Sequence, residues 1–180
     1  MIVPNPHREN YVKEKMEHAP IVVDPRTGNT VAEGSPGVLQ FYNPVSDKHV
    51  NSLLVAKNYL DDHTSCIATI SQICFAYNGN WLVTVDVRSF DKFGRDKKGE
   101  IYSSIKFWRY SDITQEFELA TQVTAPHDRV TSISSCATSG RVVTTGSEGK
   151  FAIWEKISLA HAEEENYIDE SWRCRSVGYY

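Results

Sequence analysis

"GSEGKFAIWE" at residues 146–155 restates "GSPGVLQFYN" at residues 34–43: Gly-Ser-x-Gly, an apolar residue, then a bulky aromatic followed by a polar side chain. A third, weaker copy, "SSIKFWRYSD" at 103–112, lacks the glycine lead but keeps the apolar and aromatic places through Ile105, Phe107 and Trp108. Aligned on the last aromatic, Tyr42, Trp108 and Trp154 fall in register, 66 and 46 residues apart. The shorter spacing is close to the ~40–45 residues of a four-stranded propeller repeat, and the longer one fits if it carries insertions. A β-sandwich also shows short strands at regular intervals. It does not require the same phrase at the same place in successive groups of four strands, so the copies favour blades.

Working outward from the three phrases, each group divides into four strand-like runs bounded by turn residues. The first blade spans 20–56, with runs at 20–28, 29–35, 38–44 and 49–56; the second spans 68–125, with runs at 70–79, 80–87, 104–111 and 117–125; the third spans 128–180, with runs at 130–139, 141–147, 150–157 and 172–180. Turn signals stand between them: "RTGN" at 26–29, "NGN" at 78–80, "SG" at 139–140 and "EG" at 148–149. The extra length of the second repeat falls on "KNYLDDHTS" at 57–65 and the charged "RSFDKFGRDKKGE" at 88–100, both read as loop excursions. "ENYVKEKMEHA" at 9–19 and the acidic "SLAHAEEENYIDE" at 158–170 lean helical, the latter as a solvated excursion inside the third blade. Residues 1–19 stay unassigned. The expected fold is all-β, about three four-stranded antiparallel blades of a larger propeller.

Composition sets outer limits on function. The 180 residues are 41% hydrophobic and carry 19 Lys and Arg against 23 Asp and Glu, a net charge of −4. Such a chain has no global positive field to gather nucleic acid through counterion release, so any RNA contact must be local. No apolar run serves as a signal peptide or reaches the ~18 residues of a membrane span, which predicts a cytosolic or nuclear protein. Cys66, Cys74, Cys136 and Cys174 include no CxxC pair and read as buried free thiols. "HD" at 127–128 comes without a GxSxG elbow, an HExxH pair or a phosphate loop, and "GRDKKG" at 94–99 has its glycines and lysines in the wrong order for one. Neither enzymatic activity, nor a cofactor or metal, nor a small-molecule substrate is expected.

The stretch "PHDRVTSISSCATSGRVVTTGSEGKFAIWE" resembles a WD repeat. In that motif a His, a Ser or Thr, a turn Asp and a Trp form a buried hydrogen-bond chain, and the resemblance carries these roles to His127, Thr144, Glu148 and Trp154. The chemistry is intelligible, because an indole N–H only donates and a buried Trp therefore needs an acceptor. Glu148 stands where Asp is usual, one methylene longer. Blade two has Trp108 without an evident His or turn Asp, and blade one has Tyr42 with Pro36 at the Asp place, so the tetrad is expected in one blade only.

Longer matches are more specific. "VVDPRTGNTVAEGSPGVLQFYNPVSDKHVNSL", "FAYNGNWLVTVD", "IKFWRYSDITQEFELATQVTAPHDRVTSI" and "WRCRSVGYY" are similar to the WD-repeat subunits of the UtpA (t-Utp) subcomplex of the small-subunit processome, the WD-repeat protein seventy-five and U3-associated protein seventeen family. The resemblance covers residues 20–180 and looks like the opening blades of a second propeller. It implies a non-enzymatic nucleolar scaffold that acts in early pre-rRNA transcription and 18S rRNA maturation, with other UtpA subunits, processome proteins and the 5′ external spacer of precursor rRNA as partners. An alternative is direct RNA binding through 88–100, where Arg88, Lys92, Arg95, Lys97 and Lys98 interleave with Phe90 and Phe93 in a composition suited to phosphate contact and base stacking. Asp91, Asp96 and Glu100 in the same stretch reduce its net charge. A further alternative, a generic WD-repeat peptide-binding adaptor, rests on fold alone.

Overall fold

The computed structural model describes residues 20–61, 64–92, 101–160 and 168–180. They form three antiparallel sheets that follow one another along the chain, as the all-β expectation requires. The first is built from β1 (Ile21–Val23), β2 (Thr30–Ser35), β3 (Val38–Asn43) and β4 (Lys48–Leu54) in sequence order. The middle sheet runs β5 (Tyr59–Asp61), β6 (Thr64–Ala76), β7 (Trp81–Lys92), β8 (Ile101–Ser111) and β9 (Glu116–Thr124). The third is β10 (Val130–Ser135), β11 (Val142–Gly146), β12 (Lys150–Ala160) and β13 (Ile168–Tyr179).

Each sheet is a meander of hairpins, so local turn chemistry sets its register. "DPRT" shows how. The buried Asp24 carboxylate accepts the Arg26 N–H at 2.9 Å and the Thr27 hydroxyl at 2.8 Å, and its carbonyl accepts the Gly28 N–H at 2.8 Å. The chain is thereby reversed into β2, where Val31 pairs with Val22 on one side and Phe41 on the other.

All three sheets share a defect at one place. Pairing between the third and fourth strands slips by one residue at Phe41/Tyr42, at Phe107/Trp108 and at Ile153/Trp154. The extra residue always lies on the outer strand: Val50, Ala120 and Arg175, all exposed. A bulge adds local twist and interrupts the ladder, and here it recurs beside the aromatic that ends the repeated phrase.

Two compact units divide the chain, one taking in the chain to Ile73 together with Asp86–Tyr102, the other Cys74–Val85 with Ser103–Tyr180. In the first, Val31, Leu39, Phe41, Val55, Ala56, Cys66, Ala68, Ile70 and Ile73 are buried. Glu33 ties β2 to β6 there, its Oε1 accepting the N–H groups of Gly37 at 2.9 Å and Ile70 at 3.0 Å. Asn58 adds a second tie, donating to the Pro36 carbonyl at 2.8 Å and accepting the Ala68 N–H at 2.7 Å. The core of the second unit is aromatic. Trp172 stacks on Phe107 at 4.6 Å and meets Trp81 edge-on at 5.5 Å, while Phe107 also contacts Trp154 at 5.6 Å. Thr121 Oγ1 accepts the Trp172 N–H at 3.0 Å and lies 3.0 Å from Ser171 Oγ, which joins β9 to β13.

Four expectations need correction. Residues 57–65 are not simply loop: Tyr59–Asp61 form β5 and pair with Cys66, Ser65 and Thr64. The excursion at 88–100 begins later, because β7 continues to Lys92. The helical leaning of 158–170 is overturned at both ends, where Ser158, Leu159 and Ala160 pair with Glu170, Asp169 and Ile168. Ala and Glu are good helix formers, but local propensity yields to tertiary context, here the continuing β12–β13 ladder. Finally, Cys66 and Cys74 are buried but Cys136 and Cys174 are exposed, the first in a turn after β10 and the second on the outermost strand. The readings made for 1–19, 93–100 and 161–167 lie outside the described residues.

Candidate functional site

The third sheet brings His127, Thr144, Glu148 and Trp154 together. β11 sets Thr144 opposite Ala152 on β12, and the buried face of both strands collects Val142, Thr144, Ala152 and Trp154. The Trp154 indole donates to Thr144 Oγ1 at 3.0 Å. Thr144 Oγ1 lies 2.8 Å from His127 Nε2, and His127 Nδ1 lies 3.1 Å from Glu148 Oε1. Since the indole only donates and the carboxylate only accepts, a neutral imidazole satisfies every link with one polarity: indole to hydroxyl, hydroxyl to Nε2, Nδ1–H to carboxylate.

The longer Glu148 closes the chain because the backbone leaves it room. Gly146 has no side chain, and a Cβ there would fall on the Glu148 carboxylate. Burial opposes ionisation of Glu148. Its own N–H, the hydrogen bond from His127 and the Asp128 N–H together prevail and hold its carboxyl below the ordinary value. Lys150 Nζ stands 3.9 Å away and also donates to the Pro126 carbonyl at 3.1 Å.

The middle sheet carries half of the same device, which the sequence did not disclose. The Trp108 indole donates to the buried Thr84 hydroxyl at 3.0 Å. The first sheet has none of it: Tyr42 holds the aromatic place, and Ala32, opposite Gln40 as Thr144 is opposite Ala152, offers no acceptor. The only sequence signal for Thr84 was its place in "NWLVTVD", where an alternating strand aims it at the same face as its neighbours Leu82 and Asp86.

Of the residues read as RNA contacts, Arg88 lies in β7 with Nε 3.5 Å from Oδ2 of the buried Asp86. Lys92 ends that strand, its side chain outside the described residues, as are Arg95, Lys97 and Lys98. A basic cluster not anticipated in the sequence sits on β12 and β13. Arg173 Nε and Nη2 donate to Glu155 Oε1 at 3.1 and 2.8 Å, and Arg175 Nη1 donates to Oε2 at 2.7 Å. Hydrogen bonds from Arg173 and then Arg175 hold the Glu155 carboxyl below its ordinary value. Among the described residues no three His, Cys, Asp or Glu side chains gather as metal ligands. The arrangement is one of rigid faces and positioned charges, chemistry suited to binding.

The family described as the second β-propeller of WD repeat-containing protein 75 matches residues 21–180. WD repeat-containing protein 75 of Homo sapiens is 30% identical over 179 residues, covering 96% of this chain and 20% of its own length. The Danio rerio protein of the same name is 33% identical over 164 residues, 89% of this chain and 18% of its length. The chain therefore spans about a fifth of the curated relatives it matches. Among solved structures, that of U3-55K aligns over 78% of this chain and 50% of its own, at 14% identity and a TM-score of 0.36. With three antiparallel sheets, a buried Trp–Thr–His–Glu chain in the third, and a family match that runs from β1 to the last residue, this chain belongs to the WD repeat-containing protein 75 second-propeller family.

Proposed function

We propose that this chain acts as a non-enzymatic scaffold in ribosome biogenesis, within the small-subunit processome, supporting early pre-rRNA transcription and maturation of 18S rRNA in the nucleolus. The observation that carries the reading is the family match across residues 21–180. The architecture supports it: stiff sheets with hydrogen-bonded aromatic cores hold loops and edges in fixed positions, where binding residues concentrate. Its partners on this reading are other UtpA subunits and processome proteins, with precursor rRNA reached directly or through the complex. A direct RNA role on this reading draws on Arg88, whose Nε lies 3.5 Å from Asp86 Oδ2, together with Lys92, Arg95, Lys97 and Lys98.

Crosslinking in nuclear extract, with sequencing of attached RNA and mass spectrometry of attached protein, tests the reading. Crosslinks to processome subunits in a particle that also holds the 5′ external spacer are expected. Crosslinks confined to proteins outside ribosome assembly would overturn the scaffold role in favour of a generic adaptor. RNA crosslinks from 88–100 themselves would make the chain a direct reader of precursor rRNA.

A further inference from the structure

The turn "GSPG" at 34–37 takes no part in a Trp–Thr–His–Glu chain, since Pro36 stands where the sister phrase has Glu148. It offers something else. Of the 7 prolines, Pro36 alone follows a Ser or Thr. Ser35 ends β2, opposite Val38, and is exposed. Gly34 before it is the extra residue of a bulge, and a Cβ there would fall on the Gln40 side chain. A bulge re-aims the side chain beside it, and among the described residues the Ser35 hydroxyl has no hydrogen-bond partner. The turn itself is pinned from behind. The Pro36 carbonyl accepts from Asn58 at 2.8 Å, and the Gly37 carbonyl accepts the Val55 and Ala56 N–H groups at 2.9 and 3.0 Å. The exposure of Ser35 thus belongs to a hairpin tip rather than to the face of a sheet.

We infer that Ser35 is the acceptor of a proline-directed protein kinase, and that its phosphate loosens the tie between β2 and β6. Proline lacks an N–H, so a kinase cleft that offers no acceptor at the place after the serine admits it and disfavours other residues. Proline also holds the preceding residue in the extended region, the form in which a substrate lies along such a cleft. In the transfer the Ser35 hydroxyl oxygen attacks the γ-phosphorus of ATP. The bond from that phosphorus to the β–γ bridging oxygen breaks, ADP departs with the electron pair, and the hydroxyl proton passes to a carboxylate of the kinase.

The consequence falls on Glu33. Its Oε1 accepts both the Gly37 N–H, within the turn, and the Ile70 N–H of β6. Phosphorylation places a charge of about −1.5 to −2 on Ser35, two residues from that carboxylate and two from the Gly37 N–H. Like charge pushes Glu33 away, and the phosphate oxygens compete with it for the Gly37 N–H. Either effect weakens the hold on Ile70. The inference holds or fails whether or not the ribosome-biogenesis reading survives.

The test incubates the intact folded chain with a purified cyclin-dependent kinase and ATP, then maps phosphate by peptide mass spectrometry. Ser35 should be labelled; Ser147, exposed in the sister phrase but followed by Glu148, should not. P36A leaves the hydroxyl in place and should slow labelling at least tenfold, and S35A should abolish it. Hydrogen exchange of the phosphorylated chain should then be at least threefold faster in the peptide holding Ile70, with peptides from β10 to β13 unchanged. Labelling of Ser35 that is absent, equal in P36A, or seen only after unfolding in urea would overturn the inference. So would unchanged or slower exchange at Ile70, the latter showing a phosphate that braces the turn.

Discussion

Replacing Thr144 by Val keeps the shape of a fully buried side chain and deletes one hydroxyl. Among the described residues that hydroxyl alone joins Trp154 Nε1 at 3.0 Å to His127 Nε2 at 2.8 Å, so its loss strands two buried polar atoms. Each stranded group costs about 1–3 kcal/mol, which puts T144V at roughly 2–6 kcal/mol. Thr84→Val makes the identical chemical change in the middle sheet, also fully buried, but strands only the Trp108 indole and should cost about half as much. Urea unfolding of both variants reads the difference directly. With a slope of about 1–3 kcal/mol per molar urea, T144V should lower the midpoint by roughly twice the shift seen for T84V, at unchanged slope. Comparing two Thr→Val changes cancels the transfer term for the swapped atoms and isolates the second link. Equal midpoints for the two variants would refute the claim that His127 depends on Thr144.

Three further outcomes follow from the same geometry. Because the folded-state pKa of Glu148 is lowered, its stabilisation is complete above the ordinary carboxyl value of 4.5 and is lost as the pH falls through the lowered folded value; E148Q should flatten the acid limb of a stability–pH curve in that window. Gly140 has φ +66° and a Cβ there would overlap the Tyr77 ring, whereas Gly28 has φ +73° with open space around it. Gly140→Ala should therefore cost well beyond the roughly 1–3 kcal/mol of left-handed strain that bounds Gly28→Ala, measured by thermal or urea unfolding. Hydrogen bonds from Ser139 and then Thr138 lower the exposed Cys136 thiol to about 6, while burial pushes Cys74 up to about 12. Alkylation by iodoacetamide, followed by peptide mass spectrometry, should rise with a midpoint near pH 6 at Cys136 and leave Cys74 untouched in the folded chain.

Sheet order and the Trp154 chain were legible because both rest on local signals: turn residues at fixed offsets, alternation, and a repeated ten-residue phrase. What escaped depends on partners remote in sequence. Thr84 and Trp108 are separated by the whole charged insertion, so nothing near either residue announces the bond. Glu33 reads as one more polar residue of a strand until Ile70 presents its N–H. The strand at 158–160 was hidden by Ala and Glu composition, although the opposing strand 168–170 decides its conformation. Glu155, Arg173 and Arg175 likewise read as ordinary surface charges until the hairpin sets them side by side.

The bulge shared by the three sheets also bears on how the outer strands can change. Val50, Ala120 and Arg175 take no Cα partner across the ladder, and their side chains differ in size and charge while the pairing around them stays the same. Deleting Ala120 would join Leu119 directly to Thr121 and let β8 and β9 pair without interruption, keeping Leu119 opposite Trp108 and Phe117 opposite Tyr110 while removing the local twist that the bulge adds. At the rim of each sheet the chain thus keeps a place whose occupant varies and whose contribution is a bend of the outer strand.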